Sequence, residues 1–306
     1  MRAPDHLPIG LRLDQYTIES VLGSGGSGIT YRAIDAGRRK FVALKEYFPK
    51  LWAMRDGRGN VCVVGPKHEA NFRWGLDRFI AEAETLARFK HDCIVKVERV
   101  FGALGSAFIQ LEYHSGPNLE RWISDERRRP LQDELDGFAA GLLGALSTIH
   151  RSDILHCDIS PRNILLSPRG LPVIIDFGSA RQGVGGRTEA PSLFVTPHYA
   201  AQEQYVSSGA QQGAWTDIYS AAATLYRLVC GAPPPPAPAR AISPAKVDLR
   251  RASDGSYRSD FLSAIEWGLE FLPQDRPRTV EAWRSRLLPP YEIPLNKGLR
   301  VPGGGV

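Results

Sequence analysis

Two aspartates and an asparagine carry the strongest chemical signal in this chain. Asp158 and Asn163 stand five residues apart in H-C-D-I-S-P-R-N at 156–163, and Asp176 follows in I-I-D-F-G at 174–178. A lone aspartate is ordinarily a turn or cap residue. These three, in this order, offer more. Moving a phosphoryl group is chiefly positioning plus charge neutralisation. It needs a carboxylate to orient or deprotonate the incoming hydroxyl, and hard oxygen ligands for a divalent cation. Asp158 fits the first role; Asn163 and Asp176 fit the second.

Two further groups suit the same chemistry. Gly23, Gly25 and Gly28 in G-S-G-G-S-G leave backbone N–H groups open to phosphates. The run lies between two strand patterns, which argues against the strand-to-helix loop of a dinucleotide fold. Lys45, in V-A-L-K, lies within an apolar strand, where a carboxylate on the next helix could hold it. Glu82 in R-F-I-A-E-A is preferred for that role; Glu84, two positions on, faces another way.

The elements that must position these groups change character along the chain. Residues 16–24, 28–35, 41–46, 97–102 and 107–113 read as strands. Between them, Phe72, Leu76, Phe79, Ala83, Leu86 and Ala87 recur at helical steps and predict a helix over 70–89. The segment 47–67, with breakers at Pro49, Asp56-Gly57 and Pro66, reads as irregular. Beyond His114, helices are expected at 117–128, 132–151, 215–230, 258–271 and 279–288, with 232–257 as an extended proline-rich loop.

Composition sets outer bounds. The 306 residues, 43% hydrophobic and 23% charged, suit one large soluble domain. No apolar run approaches the roughly 18 residues that span a bilayer. Cys62, Cys93, Cys157 and Cys230 form no C-x-x-C, so neither zinc nor a disulfide framework is expected, and a cytoplasmic location follows. The net charge of +5 comes in short runs, Arg38-Arg39-Lys40 and Arg127-Arg128-Arg129, without interleaved aromatics, so no nucleic-acid partner is read.

Together, G-x-G-x-x-G, V-A-L-K, H-x-D-x-x-x-x-N and D-F-G resemble the eukaryotic-like protein kinases. T-P-H-Y-A-A-Q-E at 196–203, T-D-I-Y-S at 216–220 and D-R-P at 275–277 extend the resemblance over 16–288. G-I-T-Y-R-A, K-E-Y-F-P and D-F-G-S-A-R look like one bacterial serine/threonine kinase subfamily. The resemblance implies an α+β bilobal protein-kinase fold, a small antiparallel β-sheet lobe with one long helix and a larger, mainly helical lobe. Residues 1–15 would be an N-terminal extension, 16–288 the catalytic domain (16–112 and 113–288 its lobes), and 289–306 a flexible tail.

The implied activity is transfer of the γ-phosphate of ATP, with Mg2+ (or Mn2+), to serine or threonine in protein substrates. A transient homodimer would serve autophosphorylation. The resemblance places Leu22, Ala43 and Leu165 around the adenine, the backbone of Glu112 and His114 on its edge, and Leu111 as gatekeeper. It gives Thr196 the task of holding Asp158, pairs Arg276 with Glu203, and sets Asp217 under the catalytic loop. Four positions depart from the pattern: Cys157 replaces the usual arginine, Ser160 the usual lysine, and Ser27 and Thr30 stand where a large residue and a valine are common. Without a cation at 157, phosphorylation at Thr188 or Ser192 would not control activity. Arg162, four residues after Asp158, could supply the charge the lysine lacks. A nucleotide-binding pseudokinase scaffold and a small-molecule phosphotransferase remain the alternatives.

Overall fold

A computed structural model describes residues 5–26, 28–126, 128–177, 181–182, 195–205, 212–242, 248–252, 255–291, 293 and 298–301. Ser27, Arg127, Gly178, Thr188 and Ser192 lie outside the described residues. The chain divides into two compact units: residues up to Lys90 with Val95–Tyr113, and His91–Ile94 with the residues from His114 on. Among the described residues, no helix is long and apolar enough to cross a membrane.

The first unit is an antiparallel sheet with one long helix. Its strands are β1 (Arg12–Leu13), β2 (Tyr16–Ser24), β3 (Gly28–Asp35), β4 (Lys40–Tyr47), β5 (Ala53–Arg55), β6 (Val61–Val63), β7 (Val97–Ala103) and β8 (Ser106–Glu112), and its helix is α1 (Glu69–Leu86). Six of the strands form one sheet in the order β1-β2-β3-β4-β8-β7. Alternation along β3 buries Ile29, Tyr31 and Ala33 on one face. Helix α1 turns Phe72, Phe79, Ala83 and Leu86 inward. The Tyr47 ring meets Phe72 and Phe79 with centroids 5.2 and 5.6 Å apart. That stripe fixes the rotation of α1 and leaves Glu82 half-buried while Glu84 is exposed.

Two sequence expectations change here. The 47–67 segment contains the hairpin β5–β6, paired Ala53 to Val63 and Arg55 to Val61. Its turn is closed by Asp56, whose carboxylate accepts from the N–H groups of Arg58 and Asn60. These strands are three residues long, too short for a periodic pattern. Residues before Tyr16 also belong to the first unit: Leu7 is fully buried and β1 pairs with β2.

The second unit is mainly helical, with α2 (Leu119–Glu126), α3 (Gln132–His150), α4 (Ala214–Cys230), α5 (Ala237–Ile242), α6 (Leu249–Ala252), α7 (Ser259–Gly268) and α8 (Val280–Leu287). Its strands are short: β9 (Ile154–Leu155), β10 (Ile164–Leu166), β11 (Pro172–Ile174) and β12 (Arg181–Gln182). Helices α3 and α4 are buried on nearly every side and make the core. The proline-rich 232–257 stretch, expected as a loop, carries α5 and α6. Arg240 of α5 buries its guanidinium against the Tyr219 hydroxyl and the Leu269 carbonyl. The tail is likewise anchored at 298–301: Leu299 is buried, and the Trp122 indole donates to the Arg300 carbonyl at 2.9 Å.

One buried ion pair joins distant parts of this unit. Arg276, 2% exposed, donates to both Glu203 oxygens at 2.8 and 3.2 Å and to the carbonyls of Glu270 and Phe271. Arg276→Ala leaves a buried carboxylate uncompensated and should destabilise the fold by about 3–5 kcal/mol, read from urea unfolding.

Candidate active site

The loop that carries Asp158 is framed by the end of β9 and the start of α4. After β9, the chain passes through His156–Ser160 into a single 3-10 turn at Pro161–Asn163 and then into β10. Cys157 takes φ = 61°, a left-handed conformation that costs a non-glycine residue about 1–2 kcal/mol. The conformation aims two consecutive N–H groups at one carboxylate. His156 and Cys157 donate to Asp217 Oδ2 and Oδ1 at 2.9 and 2.8 Å. Asp217 is fully buried. Burial works to raise its pKa, but His150 at 2.7 Å and the backbone donors outweigh it and hold the carboxyl below its usual range.

Asp158 is presented by this frame with both carboxylate oxygens held. Thr196 Oγ1 donates to Oδ1 at 2.6 Å, and Asn163 Nδ2 donates to Oδ2 at 2.8 Å. Burial pushes the Asp158 carboxyl up; the Thr196 hydrogen bond opposes the shift, and the neighbouring Asp176 charge adds to it. His156 packs its ring 4.6 Å from that of Phe177, and burial holds the imidazole below its usual range. Its Nδ1 accordingly accepts from the Asp158 N–H at 3.2 Å.

Asn163 and Asp176 are neighbours through the backbone. Strands β10 and β11 pair Ile164 with Ile174, and the Ile175 N–H donates to the Asn163 carbonyl at 3.1 Å. Asn163 spends its amide nitrogen on Asp158, which leaves its Oδ1 as an acceptor, and Asp176 follows directly on the residue hydrogen-bonded to the Asn163 carbonyl. This donor set, one amide oxygen and one carboxylate, is the hard-oxygen type that Mg2+ or Mn2+ accepts.

The departures have structural readings. The Cys157 thiol is buried and lies 3.5 Å from Gln212 Oε1, while Gln204 Nε2 donates to the Cys157 carbonyl at 2.7 Å. Ser160 is 1% exposed, and its hydroxyl has no hydrogen-bond partner among the described residues. Arg162 is exposed.

In the first unit, Lys45 Nζ lies 3.9 Å from Glu82 Oε1, an ion-pair distance. Gly23 and Gly25 have open space where a side chain would sit, whereas a Cβ on Gly28 would come 2.4 Å from the Glu46 carbonyl oxygen. The Gly25 N–H donates to the Gly28 carbonyl at 2.9 Å and tightens the turn. Ala43 and Leu111 are buried and paired across β4 and β8; Leu22 is 47% exposed. The Glu112 N–H is taken by the Lys96 carbonyl. His114 and Leu165 belong to the second unit, Leu165 half-buried on β10 opposite Val173.

Comparison with known proteins follows the same residues. The protein kinase domain model matches residues 16–287. The chain belongs to the protein kinase family. It is 32% identical over 272 residues to the serine/threonine-protein kinase PknK of Mycobacterium bovis, covering 85% of this chain and 22% of that protein. A DNA damage-responsive serine/threonine-protein kinase of Deinococcus radiodurans, RqkA, is 31% identical over 240 residues, covering 74% of this chain and 31% of that protein. The kinase domain thus spans about a fifth to a third of the length of these relatives. A solved structure titled PpkA-294 apo form matches with a TM-score of 0.82 at 31% identity, covering 93% of this chain and all of that one.

Sequence reasoning missed Gln204 and Gln212, which reach Cys157 from 47 and 55 residues away, and His150, which meets the Asp217 carboxylate from 67 residues away. A histidine ending a helix, a glutamine ending a 3-10 turn and a glutamine in a loop have no local signature. The Thr196 contact generates a test. Thr196→Val keeps the shape but removes the hydroxyl from Asp158, so it should lower kcat by about 10²-fold, the scale of a slightly misplaced catalytic group. Thr196→Ser should retain most of the rate in the same steady-state assay.

Proposed function

We propose that this kinase domain, residues 16–288, transfers the γ-phosphate of ATP to serine and threonine hydroxyls of protein substrates, including other copies of itself. The observation that carries the reading is Asp158, half-buried and fixed on both oxygens by Thr196 and Asn163. A carboxylate held this way can orient an incoming hydroxyl and take its proton without first rearranging. Burial raises its proton affinity, which suits a base.

Asn163 Oδ1 and Asp176 are the residues that would hold Mg2+, with Mn2+ the other candidate. The cation would supply neutralisation of phosphate charge. Lys45, steadied by Glu82, is assigned to the phosphates beneath the glycine turn of Gly23, Gly25 and Gly28. Leu22, Ala43, Leu111 and Leu165, with the backbone of Glu112 and His114, are assigned to the adenine. Serine and threonine rather than tyrosine is supported by the Thr196 contact and by the likeness to serine/threonine-protein kinases. Retention of Lys45, Glu82, Asp158, Asn163 and Asp176 together weighs against a pseudokinase. Four free cysteines support work in a reducing compartment, the cytoplasm.

Asp158→Asn should leave ATP binding near wild type and lower kcat by about 10²–10⁴-fold in a phosphotransfer assay. Asp176→Ala should abolish the part of nucleotide affinity that depends on divalent cation. Wild-type turnover by either variant contradicts the assignment.

Arg162 is assigned to the γ-phosphate in place of the lysine that Ser160 replaces. It is the exposed cation on the 3-10 turn that follows the base, and its forked donors suit a phosphate. Arg162→Ala should lower kcat by about 10²-fold, as for loss of one preorganised donor, with little change in ATP affinity. A fully active variant would leave that charge to the cation and Lys45.

A further inference from the structure

The most deeply buried ion pair among the described residues of the first unit has no part in the chemistry above. Glu46 follows Lys45 on β4, so its side chain leaves the sheet on the opposite face. There Arg55 Nη2 and the Tyr31 hydroxyl both donate to Glu46 Oε2, at 2.5 and 2.8 Å. Glu46 is fully buried and Arg55 only 4% exposed.

The same guanidinium gathers more of the chain. Its Nε donates to the Asp5 carbonyl at 2.6 Å, its Nη1 to the Gly59 carbonyl at 3.0 Å and its Nη2 to the Tyr31 hydroxyl at 3.2 Å. It also lies 4.9 Å from the centroid of the Phe48 ring. The Leu7 N–H donates to the Tyr31 hydroxyl at 3.1 Å. One arginine therefore ties residues 5–7 and the hairpin β5–β6 to a single point on β4.

That point borders two of the phosphate-binding elements. The Glu46 carbonyl lies against Gly28, and the ladder pairs Ile29 with Glu46 and Gly28 with Tyr47. A shift of β4 at this residue would move the closing end of the glycine turn. Lys45, one residue away, already stands 3.9 Å from Glu82, so the same shift would open that pair beyond contact.

We propose that Arg55 is a positioning residue for the nucleotide phosphates: through Glu46 it holds Lys45 and the Gly28 end of the turn in register, with residues 5–7 and β5–β6 as its braces. The proposal rests on the reading of Lys45 and the glycine turn as phosphate-binding elements.

The test uses the full chain, with ATP–Mg2+ affinity by titration calorimetry and Tm by thermal unfolding, binding being read well below each Tm. Arg55→Met strands a buried carboxylate and should lower Tm. Glu46→Gln/Arg55→Met removes both charges, so the double variant should recover much of that loss and supply folded protein even where the single one does not. If Arg55 positions the phosphates, the folded double variant should still bind ATP–Mg2+ about tenfold more weakly than wild type, because the braces stay cut. Leu13→Ala, on the edge strand β1, should lower Tm and leave affinity unchanged.

Affinity of the double variant within about twofold of wild type overturns the proposal and leaves the pair a purely structural one. An equal loss in Leu13→Ala overturns it as well, since general loosening then explains the effect. A wild-type chain that takes up no nucleotide, or a Lys45→Met chain that binds as wild type does, removes the phosphate reading and the proposal with it.

Discussion

A buried carboxylate organises the second unit. Asp217 has no exposure, yet it remains ionised because two backbone N–H groups and His150 surround it. A buried charge without such donors would cost several kcal/mol, on the order of what holds a domain together. The constraint runs both ways. The N–H groups of His156 and Cys157 converge on one side chain because Cys157 adopts a left-handed backbone, and that backbone is held because the carboxylate rewards it. Strain in the loop and burial of the charge compensate each other, and Asp158 is the next residue.

The first turn of α4 extends this control. Thr216, beside Asp217, donates to Glu203 at 2.9 Å, and Glu203 in turn takes the Arg276 guanidinium. Glu203 lies in the 195–205 segment, which also carries Thr196. Two adjacent residues of one helix therefore fix the loop that bears Asp158 and the segment whose hydroxyl holds it. Gln204 adds a crosslink by donating to the Cys157 carbonyl. The geometry at Asp158 comes from the core outward, which is how a site keeps catalytic groups within tenths of an ångström.

In the first unit, strand alternation does the equivalent work. Lys45 and Glu46 occupy opposite faces of β4; one reaches Glu82 on α1, the other is sealed beneath Arg55. Helix α1 is set by the Tyr47, Phe72 and Phe79 rings, so the same strand supplies the lysine and the apolar stop that orients its partner.

How much of this was legible depends on the range of the interaction. The motif residues stand out because phosphoryl transfer demands certain atoms at certain spacings, and the preference for Glu82 over Glu84, drawn from helical periodicity, agrees with the 3.9 Å approach of Lys45 to Glu82. The helices α1, α3, α4, α7 and α8 were legible as well. The hairpin β5–β6 and the helices α5 and α6 were not: three to six residues carry too little periodicity to outweigh prolines and glycines nearby. Leu7 and Leu299 sat in stretches whose composition reads as extension and tail, and only tertiary contact shows that both are buried. His150, Gln204 and Gln212 could not have been chosen from sequence, since nothing local separates a supporting amide from a solvated one. The claim that this frame makes a protein serine/threonine kinase meets its most direct test in one measurement. The intact chain is incubated with γ-labelled ATP, a divalent cation and a mixture of unstructured acceptor proteins, and the labelled residues are mapped by mass spectrometry. The account predicts label on serine and threonine that disappears when the cation is chelated; label confined to tyrosine or to small molecules, or no transfer at all, would contradict it.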